Sequence, residues 1–196
     1  MPPLVRKQLI SFILAGSILF LPAALAVGFS FIGEGHPLES KSITQNQFLA
    51  QSKNQVEVVF FGYVGCASIC PSSLVKVKEV LEKVEKENKE SAAGAFFVDI
   101  DTESKGPSAN EYSHLFSPKI RGINIEAQEL EALTKDFGVR VNESFQNPGE
   151  IFHTDHFFVV HRKNGNWKIY RVLSNESDQQ TIKQVVSEAL ALQADV

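Results

Sequence analysis

The chain holds two cysteines, Cys66 and Cys70, and their setting constrains what it can fold into. They follow an apolar run at residues 56–61, interrupted only by Glu57. They precede a segment in which Leu74, Val77, Val80, Leu81 and Val84 recur at helical spacing, with Lys76, Lys78, Glu79, Glu82 and Lys83 on the other face. The first pattern reads as a buried strand and the second as an amphipathic helix. Both sulfurs therefore stand at a strand-to-helix turn. A disulfide closing so short a loop stabilises a fold by only about 2 kcal/mol, against roughly 4.7 for a hundred-residue loop, so a purely structural staple is disfavoured. Residues i and i+4 share a helix face with Cα atoms about 6 Å apart, within disulfide range. A helix N-terminus also favours the thiolate. The pair suits a reversible disulfide, a Cu(I) or Zn(II) site, or both.

The remaining pattern places that turn in a larger layout. Residues 94–101 read as a second strand, closed by Asp99 and Asp101, whose expected role is to cap the following turn. Residues 102–124, with Pro107, Pro118 and Gly122, read as an irregular insertion. Asn124 is the expected cap of a helix carrying Ala127, Leu130, Leu133 and Phe137, which Gly138 ends. Residues 139–152 read as a loop turning at Asn147-Pro148-Gly149. Strands at 157–162 and 167–173 are joined at Asn164-Gly165, a hairpin signal. Ile182, Val185, Val186, Ala189 and Leu190 mark a last helix. The order β-α-β-α-β-β-α is the layout of the thioredoxin fold, here an α/β domain with an insertion after its second strand.

Ahead of that domain, Arg6 and Lys7 are followed by residues 8–33 without a charge. A signal-peptide core is typically about 7–15 residues, whereas roughly 20 span a bilayer, so length favours one uncleaved transmembrane helix. Ala24-Leu25-Ala26 also fits a cleavage site. Cations before the span and Glu34 and Glu39 after it orient the N-terminus to the cytoplasm. The expected organisation is an anchor or signal at 1–33, a tether at 34–54 with a short element near 43–50, and a thioredoxin-like domain at 55–196. The expected location is the inner membrane, single-pass, with the C-terminal domain in the periplasm. With 23 acidic against 19 basic residues and a net charge of −4, nucleic acid is not an expected partner.

Five histidines offer imidazoles. His36 lies in the tether, His114 in the insertion and His161 inside a strand, and none has a visible partner in the sequence. His153 and His156 flank Thr154-Asp155, where the loop enters the third strand. In a thioredoxin this loop end faces the redox turn and carries a cis-proline. Here it reads Thr154-Asp155-His156, which suggests a third ligand beside the two thiolates. Two thiolates and one imidazole suit Cu(I), and can also hold Cu(II) or Zn(II). Structural zinc usually has four protein ligands, and the affinity order favours copper. Asp155 reads equally as an acceptor that orients His156 or as a loop cap.

Several motifs together resemble the SCO/SenC family of copper chaperones. They are Phe60-Phe61-Gly62-Tyr63, Cys66-x-x-x-Cys70-Pro71, Val98-Asp99-Ile100-Asp101, Lys135-Asp136-Phe137-Gly138-Val139 and Asp155-His156. The resemblance covers roughly residues 55–195. It implies a membrane-anchored thioredoxin-fold protein that binds one copper, as Cu(I) or Cu(II), through Cys66, Cys70 and His156. It implies delivery of copper to the binuclear copper site of cytochrome c oxidase during assembly, or reduction of that site's thiols. The partner would be the copper-accepting oxidase subunit, and the protein a monomeric metallochaperone rather than a turnover enzyme. The chain departs from the family in lacking the proline and carboxylate common between the cysteines, and in carrying Gly65 before the first. The competing reading is a thiol-disulfide oxidoreductase using a redox-active Cys66–Cys70 disulfide without metal. A peroxidase reading finds no activating Thr or Arg near Cys66.

Overall fold

All seven residues of β1 (Val56–Gly62) are buried, and the sheet is built outward from this strand. The computed structural model describes residues 35–44, 47–87, 92–104, 106–143 and 150–194. β1 pairs in parallel with β2 (Ala93–Asp99) on one side and antiparallel with β6 (Phe157–Lys163) on the other. β3 (Ile120–Asn124) adds in parallel beyond β2, and β7 (Asn166–Leu173) antiparallel beyond β6, giving the order β3-β2-β1-β6-β7. A strand covered on both faces needs apolar side chains in both alternating sets, and the 56–61 run supplies them. Phe60 packs with Phe97 and Phe157 on one face. Phe61 packs with Phe137 and Phe158 on the other.

Helices cover the two faces. α2 (Ile69–Glu87) and α5 (Gln179–Ala194) lie against each other, tied at the surface by Lys183–Glu87 at 2.7 Å and Lys83–Gln179 at 2.8 Å. α4 (Ala127–Phe137) inserts Phe137 against the opposite face and ends at Gly138 in the left-handed conformation, as expected. The hairpin at Asn164-Gly165 is present, with φ of 52° and 80° suited to a tight two-residue turn.

Three expectations change. The insertion is not irregular: it holds α3 (Ala109–His114) and β3, which extend the parallel sheet by one strand. Asn124 does not cap α4, whose N-cap is Glu126 without a side-chain bond. It ends β3 instead, accepting from the Ala109 N–H at the start of α3 and donating to Asp99. The loop at 139–152 carries a small antiparallel pair, β4 (Val141–Glu143) with β5 (Ile151–His153), and its Asn147-Pro148-Gly149 turn lies outside the described residues.

The stretch read as a tether also contributes to the domain. Ile43 and, around α1 (Gln47–Ala50), Phe48 and Leu49 are buried. Ser40 and Ile43 donate backbone bonds to Ile169 and Trp167 of β7, and Ile169 donates back to Lys41. Thr44 donates to the Asp136 carboxylate through both its N–H and its hydroxyl. Beneath the sheet, the buried Glu57 carboxylate accepts from Ser52, Asn54 and Arg121, and Arg121 also lies 4.0 Å over the Phe96 ring. Burial pushes that carboxyl above its ordinary value, with Arg121 and the hydrogen bonds opposing. The expected N-terminal transmembrane helix at residues 1–33 falls outside the described residues. Among the described residues no helix is long and apolar enough to cross a membrane.

Phe158 is fully buried with edge contacts to Phe61 and Phe137. Phe158→Ala should cost about 3–5 kcal/mol by loss of apolar burial and the cavity left behind. Leu192→Ala, at an exposed position, should change stability by less than about 0.5 kcal/mol. Urea unfolding of the two variants checks both values.

Candidate metal and redox site

The strand end and the helix start meet at Gly62. A side chain there would place its Cβ 2.7 Å from the Cys70 sulfur and 2.8 Å from the Phe97 ring, closer than real contacts allow. The bare backbone lets the first turn of α2 settle directly on the end of β1. Gly65, with φ of 100°, reverses the chain between them. Pro71 falls in the first helical turn, where the missing N–H would have been unpaired in any case.

Both cysteines are free thiols and buried, Cys70 completely and Cys66 with 7% of its surface exposed. They hydrogen-bond each other, so the expected closeness is observed, although Cys66 precedes α2, which begins at Ile69, and the two do not share a helix face. Their protonation is split. Burial pushes the Cys66 thiol up, but the amide N–H groups of Cys70, Ser68 and Ile69 converge on its sulfur and, with the Cys70 side chain, hold it below the ordinary thiol value. Burial pushes Cys70 far above that value, reinforced by its bond to Cys66 and by the nearby Cys66 and Asp99 charges, against one N–H from Tyr63. One thiolate is therefore favoured at the pair, on Cys66.

Two side chains frame this pair, Tyr63, which the sequence reading left without a role of its own, and Asp99. The Tyr63 hydroxyl accepts from the Ile151 N–H and bonds Cys66, linking the redox turn to β5. The available signal was its position between the strand end and the first cysteine. Asp99 caps the turn after β2 by accepting from Asp101 N–H at 3.1 Å, and Asp101 in turn accepts from Glu103 N–H, as expected of the two carboxylates. Asp99 also accepts from the Val64 N–H and is itself buried, which raises its pKa. The thiol turn is thus pinned from β2.

His156 is half-buried at the start of β6, with its ring 6.4 Å from that of Phe158. Phe157 pairs in register with Phe60, and alternation puts His156 with Phe158 on the other face. It stands at the same end of the sheet as the cysteines. Asp155 precedes it, half-buried. His153 lies on the thiol side, its ring 6.1 Å from Tyr63 and 6.5 Å from Phe60. His161 is buried on β6 against Tyr170 and Gln193, and His114 is exposed in the last turn of α3. Among the described residues no three His, Cys, Asp or Glu side chains converge to hold a metal ion. The structure brings Cys66 and Cys70 together and leaves His156 outside that pair. Two soft sulfurs on one turn fit a soft metal such as Cu(I).

The split between the thiols has a testable sign. A lowered pKa means that Cys66 is a thiolate at pH values where a free cysteine is still protonated, and loses reactivity only below that range. Cys70 behaves in the opposite way. Brief iodoacetamide treatment of the reduced chain at pH 7 should modify Cys66 first and spare Cys70 until the protein unfolds. Peptide mass spectrometry checks the order, and equal labelling in the folded chain contradicts it.

The SCO1/SenC family profile matches residues 39–191. The SCO2-like protein of Rickettsia felis is 29% identical over 119 residues, which cover 59% of this chain and 57% of that protein, so the chain spans little more than half of that relative. The structure of Bradyrhizobium japonicum ScoI with copper bound superimposes with a TM-score of 0.58 at 19% identity, covering 81% of this chain and all of that one. BsSco, a member of the Sco family of cytochrome c oxidase assembly proteins with an identified disulfide switch, gives a TM-score of 0.58 at 17% identity, covering 81% of this chain and 98% of that one. The two structures share the mixed α/β fold described above. With most of its length matched by the family profile and the thiol pair seated at the strand-to-helix turn, this chain belongs to the SCO1/SenC family.

Proposed function

We propose that this protein binds one copper ion through Cys66, Cys70 and His156, and delivers it to the binuclear copper site of cytochrome c oxidase or keeps that site's thiols reduced during assembly. The observation that carries the reading is the hydrogen-bonded thiol pair at the N-terminus of α2. Copper is the cargo, and its positive charge would offset the burial that, with the neighbouring Cys66 and Asp99 charges, keeps Cys70 protonated. His156 supplies the borderline donor that Cu(II) needs beyond two sulfurs. It stands at the same end of the sheet as the cysteines and would have to turn toward the thiols to complete the set, with Asp155 beside it as the orienting acceptor. The copper-bound Bradyrhizobium relative supports this reading. In this proposal the protein is a monomer, held by its N-terminal helix in the inner membrane with the domain in the periplasm.

The asymmetry of the thiols favours a second reading, thiol-disulfide exchange without metal. The Cys66 thiolate attacks a partner disulfide and expels one partner thiolate. Cys70 then gives up its proton and displaces the second, leaving a Cys66–Cys70 disulfide and two reduced partner thiols. The disulfide switch of BsSco is consistent with such a cycle.

Metal analysis of the full chain separates the two readings. With reduced thiols it should bind one copper per chain, and with the Cys66–Cys70 disulfide formed it should bind none. Cys66→Ser and Cys70→Ser should each lose most Cu(I) affinity. His156→Ala should weaken Cu(II) more than Cu(I), since two thiolates suffice for linear Cu(I). Copper uptake unchanged by oxidation contradicts the copper reading. Intact mass of the membrane-extracted protein tests the anchor: an unprocessed N-terminus is expected, and a chain beginning at Val27 would show that the segment is cleaved.

A further inference from the structure

Tyr63 touches both sulfurs. Its backbone N–H donates to Cys70, and its hydroxyl bonds Cys66 while accepting from the Ile151 N–H of β5. The register of β5 explains why that N–H is free to reach a tyrosine. Thr154 donates its N–H to the Arg140 carbonyl, so the hydrogen-bonded pairs here are Arg140 with Thr154 and Asn142 with Phe152. Ile151 stands opposite Glu143 in the alternate kind of pair and points its N–H away from β4. Tyr63 is only 9% exposed, so water has little access to replace either bond of its hydroxyl. Among the described residues β5 pairs with β4 alone, in a two-stranded sheet separate from the main one. The hydroxyl therefore ties the thiol turn to a strand that the main sheet does not hold.

Disulfide formation pulls on this tie. The two thiols give two electrons and two protons to a partner disulfide, which leaves as two thiols, and the Cys66–Cys70 bond forms. A covalent S–S bond of about 2 Å is far shorter than a hydrogen-bonded contact, so one sulfur must move. Cys70 has no room: it is completely buried in the first turn of α2, set against the Gly62 backbone. Cys66 precedes the helix, in the loop that Gly65 turns, so it is the sulfur that travels. It travels toward the end of Tyr63 that carries the N–H and away from the end that carries the hydroxyl. We propose that the Tyr63 hydroxyl is a redox-sensitive tie, which holds β5 to the thiol turn while the cysteines are reduced and releases its Ile151 edge when they are joined. The face around the thiols then offers a free backbone donor at Ile151 only in the oxidised chain, so a protein partner meets two different surfaces in the two states. This inference rests on the reversible disulfide of the second reading above and does not require copper.

Hydrogen exchange of the full chain, read at single amides by mass spectrometry, tests the tie before and after oxidation with a small-molecule disulfide. The Ile151 amide should exchange about tenfold faster in the oxidised wild type, as expected for the loss of one hydrogen bond. Amides of β1 should not change. Tyr63→Phe keeps the ring against His153 but lacks the hydroxyl. Its Ile151 amide should exchange fast in both states, so that the redox difference vanishes. Cys66→Ala is measured alongside and should match the oxidised wild type, which keeps the test decisive if Tyr63→Phe does not fold. A wild-type Ile151 amide with one rate in both states overturns the tie and leaves the exchange reading standing, as does a redox difference that survives in folded Tyr63→Phe or a Cys66→Ala chain that matches the reduced wild type. An intact mass unchanged by the oxidant, showing that no Cys66–Cys70 disulfide forms, overturns the tie and the exchange reading together.

Discussion

The absence of a side chain at residue 62 is the constraint on which the site depends. β1 ends where α2 begins, and the two can touch only because nothing projects from Gly62 toward the Cys70 sulfur and the Phe97 ring. That contact buries Cys70 completely and aims the N–H groups of residues 68–70 at Cys66. The same helix start thus provides a dry environment for one sulfur and a field of donors for the other. Two chemically identical residues acquire opposite proton affinities from one piece of backbone geometry.

Around that turn, the surrounding elements fix its position. Asp99 holds Val64 from β2, and Tyr63 reaches Ile151 on β5. Phe60 and Tyr63 seat the His153 ring, while Phe158 seats that of His156. The thiol pair is therefore assembled by the fold itself, whereas the His153 and His156 rings pack on aromatic side chains. A soft ion needs only the sulfurs at first contact, and nitrogen ligands matter more as the ion becomes oxidised.

The elements most legible in the sequence were those with strong periodicity. The 56–61 run, the Leu74-to-Val84 stripe and the Asn164-Gly165 turn were each readable because one local rule sufficed. α3 and β3 were not, since Pro107, Pro118 and Gly122 mask a short βαβ unit whose strand is stabilised by pairing with β2 rather than by its own pattern. Asn124 illustrates the difficulty: a good cap residue near one helix instead accepts the first N–H of α3, fifteen positions earlier, whose N-cap is Ser108. The cysteine pair was legible because both sulfurs sit within a few residues of one strand-to-helix turn, although Cys66 is brought to Cys70 by the loop at Gly65 and not by a shared helix face. The placement of His153 and His156 was not, because it depends on which face of β6 the strand start turns toward. Tyr63 escaped notice since its role lies in a contact with β5, far away in sequence.

The segment at residues 40–43 runs along β7, exchanging backbone bonds with Trp167 and Ile169. β7 is the outer strand of its side of the sheet, and an uncovered outer strand is a template for other chains. The residues leading into the domain therefore act as a built-in guard against edge-to-edge association. A shortened chain beginning at α1 would keep every candidate ligand and still bare that edge, trading a well-behaved solution species for one prone to stack into aggregates. The approach to the fold thus matters as much as the site.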